Sequence, residues 1–109
     1  MATGRLGVSA IPAGVSGAGT VVYTVPTGYY SVLNVSCTNR NTTAVKLRIG
    51  ISTSSTPSNQ EFIEYDVTVI GNGVFERTGL VLNAGLSVVV YSDTANVGCT
   101  VYGIETSTT

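Results

Sequence analysis

The sequence predicts an all-β fold, an antiparallel β-sandwich of seven or eight strands with jelly-roll or Greek-key connections. Three observations carry this expectation. The apolar segments are short and rich in Val, Ile, Thr and Tyr, residues that suit a pleated, half-buried surface. Clusters of Gly, Pro, Asn and Ser separate them and supply turn chemistry. No stretch sustains the 3.6-residue apolar period of an amphipathic helix, so helix is expected to be nearly absent.

The elements follow in chain order. Residues 1–18 carry Gly4, Gly7, Pro12, Gly14 and Gly17, a density that disfavours regular structure through backbone entropy, and they read as an extended arm. Residues 20–25, TVVYTV, read as a strand stopped by a turn at Pro26, Thr27 and Gly28. In residues 29–38, Leu33, Val35 and Cys37 share one face and Asn34, Ser36 and Thr38 the other, which assigns the odd-numbered face to the core. After a turn at Asn39, Arg40 and Asn41, Val45, Leu47, Ile49 and Ile51 alternate with Lys46, Arg48 and Gly50, the clearest period of two in the chain.

Residues 52–60 form a polar loop long enough to cross the top of a sandwich or switch sheets. Residues 61–70 set Ile63, Tyr65 and Val67 against Glu64, Asp66 and Thr68, with Ile63 and Tyr65 assigned to the core. Gly71, Asn72 and Gly73 read as a hairpin turn, and residues 74–82 as a strand bulged at Gly79. A turn at Asn83, Ala84 and Gly85 leads to residues 86–92, where Val88, Val89 and Val90 are apolar on both faces, as in a central, well-covered strand. Residues 93–96 turn the chain into a closing strand, 97–105. The organisation is an arm at 1–18, a sandwich at 19–105 and a polar tail at 106–109.

Composition narrows the function. Charged residues make up 10% where roughly 25% is usual, so Ser, Thr, Asn and Gly must solvate the surface. A net charge of −1 with five basic residues offers no footprint for nucleic acid or anionic lipid. No apolar run is long enough to span a bilayer, and residues 1–7 lack a signal-peptide apolar region, so the expectation is a soluble, cytosolically made chain.

The chain has no histidine, which removes the commonest general base and metal ligand. Glu61, Glu64 and Asp66 lie on or beside one strand, with Glu64 and Asp66 on one face. They read as a solvated face paired to Lys46 or Arg48, in preference to an acid–base pair or a Ca²⁺ site. Cys37 and Cys99 fall on inward faces without a basic neighbour and read as small buried thiols; a single bridge between them is compatible with the sequence. Asn34 and Asn41 head glycosylation-like triplets that matter only in a secreted eukaryotic chain. Tyr29 and Tyr30 beside the Pro26 turn are a weak sugar platform, with strand packing favoured. No catalytic, cofactor or metal residue is assigned, and the chain is expected not to be an enzyme.

The low charge leaves few gatekeepers for sheet edges, and with the Gly-rich arm this points to edges covered by neighbouring subunits. The stretch VVYTVPTGYYSVLNVSCTNRNTTAVKLRIGIS, from Val21 to Ser52, resembles the opening of a family of small tailed-bacteriophage virion proteins. EFIEYDVTVIGNGVFERTGLVLNAGLSVVVYSDTANVGCTVYGIE, from Glu61 to Glu105, is similar to that family's later turns and closing strand. The resemblance implies a β-sandwich subunit made in the bacterial host cytoplasm and resident in the virion, often as an oligomer. A capsid decoration or cement protein is the first expectation, and a baseplate, tail-tip or fibre-associated protein the second. The expected partners are copies of itself, with a trimer the first guess, and the major capsid protein or tail proteins. A carbohydrate-binding module is the alternative from another class. Candidate assembly contacts are Arg5, Leu6, Val8 and Ile11 in the arm, with Tyr29, Tyr30 and Arg40.

Overall fold

In a computed structural model, which describes residues 3–108, the alternating segments form eight strands. They are β1 (Thr3–Ile11), β2 (Thr20–Thr24), β3 (Tyr29–Asn39), β4 (Val45–Ser52), β5 (Phe62–Val69), β6 (Val74–Asn83), β7 (Ser87–Ser92) and β8 (Val97–Ser107). One 3-10 turn, Asn59–Glu61, precedes β5. The strands make two antiparallel four-stranded sheets, β1-β8-β3-β6 and β2-β7-β4-β5. Only β4 and β5 are consecutive strands paired with each other; every other connection passes from one sheet to the other.

The core lies between the sheets. Odd-numbered Leu33, Val35 and Cys37 of β3 meet Val45, Leu47 and Ile49 of β4, with Val88 and Val90 of β7 and Val97, Cys99 and Val101 of β8 completing the layer. All are buried, as expected from alternation on a strand with one face inward.

Five expectations need correction. Residues 3–11 are no arm: they form the edge strand β1, in register with β8 from Thr3 opposite Ile104 to Ile11 opposite Val97. Glycine density misled because glycines here serve specific backbone needs, Gly4 a positive φ of 106° and Gly7 a close approach. A Cβ on Gly7 would collide with the carbonyl of Val22, where the edges of the two sheets meet. The expected polar tail is also structured. Thr106 and Ser107 pair with Tyr30 and Tyr29 in β8, and Thr108 donates to the Gly28 carbonyl at 3.0 Å. Met1, Ala2 and Thr109, the ends of the expected arm and tail, lie outside the described residues.

Tyr65, assigned to the core, is 57% exposed. β5 is bulged, with Tyr65 and Asp66 both standing between the rungs Leu47–Val67 and Ile49–Glu64, and Asp66 adopts φ 54°. The extra residue breaks the period of two and turns Tyr65 outward. Finally, the Gly71–Asn72–Gly73 turn is tight, with Gly73 N–H donating to Ile70 O at 3.0 Å, but it joins strands of different sheets and is not a hairpin. The 53–61 connection, conversely, returns to the same sheet and does not switch.

Buried polar groups tie the sheets together. Tyr23, on β2, donates its hydroxyl to Glu105 Oε2 at 2.6 Å and lies 2.8 Å from Ser31 Oγ, linking β2 to β8 and β3. Burial, and then the bond to Glu105, push the Tyr23 hydroxyl up to about 12. The folded state therefore favours the neutral phenol. This contribution is complete below pH 10 and is lost as pH rises through 12, a loss on the order of 2–3 kcal/mol. Urea titrations between pH 8 and 12 should show that loss in the wild type. Tyr23→Phe should lack that component and start about 1–2 kcal/mol less stable at pH 8, because Glu105 loses a donor.

Candidate functional site

Strand alternation leaves each sheet an outer face, and the two faces differ. That of β2-β7-β4-β5 is covered at its central strands by the chain itself, with Val21 and Tyr65 exposed on the two edge strands. Outward-pointing Val89 and Tyr91 of β7 are buried, because residues 13–19 run across them. Gly19 sits against both side chains with no room for a Cβ, Tyr91 donates its hydroxyl to Gly17 O at 2.7 Å, and Gly14 N–H donates to Ser92 O at 2.8 Å. The 53–58 loop completes the cover: Gly19 N–H donates to Ser55 O at 2.7 Å, and Pro57 packs on Gly50. The second half of the expected arm is thus a lid on its own sheet.

The outer face of β1-β8-β3-β6 has no such cover among the described residues. Even-numbered residues of β3 point outward, and register builds rows from them. Val32 stands opposite Val81 of β6 and Ile104 of β8, giving an apolar row across three strands. These residues are 37%, 67% and 44% exposed. Tyr30 lies in the next row with Asn83 and Thr106, while Ser36, Thr38 and Thr100 add hydroxyls further along. The charged residues in register on this face are Arg5, opposite Tyr102, and Glu76, which accepts from the Tyr102 hydroxyl at 3.1 Å. The face is broad, nearly uncharged and apolar along one row. That chemistry suits contact with another protein surface.

The seven candidate contacts do not form one site. Arg5, Val8 and Tyr30 share the bare face. Leu6, the extra residue of a bulge in β1, and Tyr29 pack against the core. Ile11 is 2% exposed and belongs to the core, which removes it as a contact. Arg40 lies beyond the opposite end of β3 from Tyr30, about 30 Å away at the rise of an extended strand. Tyr29 and Tyr30 point to opposite faces, as neighbours on a strand must, so they cannot form a two-ring sugar platform. Val32, Val81 and Ile104 were missed because strand pairing cannot be read from one sequence.

The carboxylates are also separated. Arg48 Nε donates to Asp66 Oδ1 at 2.7 Å, its guanidinium lies 4.1 Å from the Tyr65 ring centroid, and it holds the Asp66 carboxyl below its usual range. Glu64 pairs instead with Arg77 of β6. Glu61 accepts from Ser58 N–H at 2.9 Å in the 3-10 turn. Each carboxylate thus has its own structural partner. Among the described residues there is no pocket, and no cluster of three or more His, Cys, Asp or Glu side chains is placed to hold a metal ion. Compared with known proteins, the chain matches no family model, no curated sequence and no solved structure.

A second network lies at the Arg40 end, in the segment expected to be a turn. Asn39 is buried at the last inward position of β3, and its Nδ2 lies 2.9, 3.2 and 3.0 Å from the carbonyls of Thr43, Val69 and Ile70. Its Oδ1 accepts from the backbone N–H and Nδ2 of Asn41, and Asn41 Nδ2 also reaches Ala95 O at 2.8 Å. Three loops are pinned by two asparagines. The signal was available: Asn39 continues the odd-numbered inward phase of β3.

Proposed function

We propose that this chain is a non-enzymatic structural protein of a tailed-bacteriophage virion, a capsid decoration or cement protein. In this reading it seats the bare face of the β1-β8-β3-β6 sheet on the shell and bridges neighbouring shell subunits. The observation that carries the reading is the contrast between the centres of the two sheets: one is covered by residues 13–19 and 53–58, while the other leaves the Val32–Val81–Ile104 row open. A charged fraction of 10% fits a surface meant to be covered. Two antiparallel four-stranded sheets support a jelly-roll reading, a scaffold used by capsid and lectin domains alike, so the fold is compatible with the role without specifying it.

Quantitative mass spectrometry of purified particles tests the role. Hundreds of copies per particle are expected for a decoration protein. Tens or fewer would move the assignment to the tail, and absence from particles would end the virion reading.

A further inference from the structure

Cys37 and Cys99 bring two thiols into direct contact, and neither the fold nor the assembly reading uses them as nucleophiles. They are directly opposed in the antiparallel β3–β8 ladder, at the middle of the bare sheet. Directly opposed residues in such a ladder have Cα atoms about 4.5–5.5 Å apart, inside the range a disulfide spans. The two sulfurs are 2.9 Å apart, less than about 1 Å beyond bonding distance, and both side chains are buried. Closing that gap needs only a small side-chain rotation, with the backbone already in place.

We propose that Cys37 and Cys99 form a latent cross-strand disulfide that locks β3 to β8 when the reduced, folded protein meets a low-molecular-weight disulfide oxidant. The chemistry is ordinary thiol–disulfide exchange. One cysteine, deprotonated, attacks the oxidant, breaking its S–S bond, forming a mixed disulfide and releasing one thiol. The second cysteine then attacks the sulfur of the first, forming the Cys37–Cys99 bond and releasing the second thiol. Two S–H bonds are lost, the protein is oxidised by two electrons, and the oxidant leaves as two reduced thiols.

Burial governs the rate. The Cys99 thiol is pushed above its ordinary range by its hydrogen bond with Cys37 and by desolvation, so the thiolate is scarce while the sheet is closed. Oxidation therefore waits on opening between β3 and β8, and the reduced protein should persist for hours in mild oxidant. Once formed, the bridge closes a loop between positions separated by 62 residues, a separation at which a disulfide substantially restricts the unfolded chain. The consequence for a particle rests on the virion reading: the pair stays reduced in the host cytoplasm and closes in the oxidising medium outside.

The test uses the full chain, purified reduced and folded, incubated with oxidised glutathione with and without sub-denaturing urea. Samples are quenched with an alkylating reagent in denaturant, which exposes any remaining thiols, and read by intact mass without reductant. The expected result is a product that has lost two hydrogens, carries no alkyl group and no glutathione, and forms faster with urea. Its Tm should rise by roughly 10 °C or more and return on reduction. Cys37→Ser and Cys99→Ser should show no such rise under the same treatment. The proposal is overturned if both thiols remain fully alkylatable even after refolding in a glutathione redox buffer, if glutathione adducts persist as the end product, or if bridging lowers Tm. Those failures would leave the virion reading intact, just as absence from particles would leave the bridge chemistry intact.

Discussion

Asn39→Asp is expected to destabilise the protein by about 3–5 kcal/mol at pH 7, with the folded and unfolded baselines otherwise unchanged. The substitution preserves shape, so packing is not the cause. It replaces the Nδ2 donor facing the carbonyls of Thr43, Val69 and Ile70 with an acceptor oxygen, and it places a negative charge at a buried position. Three carbonyls lose a donor and face the new charge instead. Much of the loss should return as pH falls and the carboxyl is protonated, because a neutral acid can donate again. Asn39→Ala should cost about 2–4 kcal/mol without that pH dependence. Urea unfolding of the three proteins at pH 7 and pH 4 separates these outcomes. Equal stability of the wild type and Asn39→Asp at pH 7 would mean that the network does not hold the three loops.

Gly103→Ala is expected to cost about 2–4 kcal/mol, an unusually large effect for the addition of one methyl group. Gly103 lies in β8 between β1 and β3 with φ 153°, and a Cβ there would run into the carbonyl of Val32. The neighbouring strands leave the methyl nowhere to go without breaking rungs on one side. Gly98 of the same strand is the internal control: nothing lies within 4 Å of its would-be Cβ, so Gly98→Ala should change stability by less than about 0.5 kcal/mol. Thermal or urea unfolding of the pair distinguishes local close approach from a general intolerance of β8 to side chains.

Much of the sandwich was legible because its strands obey simple alternation. Leu33, Val35 and Cys37, then Val45, Leu47 and Ile49, lie inward as their spacing predicts, and the expected bulge at Gly79 occurs, with φ 74°. Val88 to Val90 signalled a strand buried on both faces, and β7 is central and covered. What could not be read was what covers it, since residues 13–19 carry no apolar pattern and act through backbone contacts and the small size of Gly19. β1 was lost for a related reason, Gly7 being a requirement of close approach and Gly4 of a positive φ, and neither a sign of loose chain. The bare face was the least legible feature. Val32, Val81 and Ile104 are far apart in sequence and become neighbours only through the non-consecutive order β8-β3-β6.

That face is the centre of the account, and its direct test is binding to particles assembled without this protein. Wild type, a Val32→Lys/Val81→Lys variant and a Thr68→Lys control on exposed β5 would be added at equal concentrations, each first checked for an unchanged Tm. Bound copies per particle are then counted. The account predicts saturation by the wild type and the control, and about tenfold or greater loss of affinity for the double variant, whose two ammonium groups would have to be buried against the shell. Equal binding by the double variant and the wild type would contradict it.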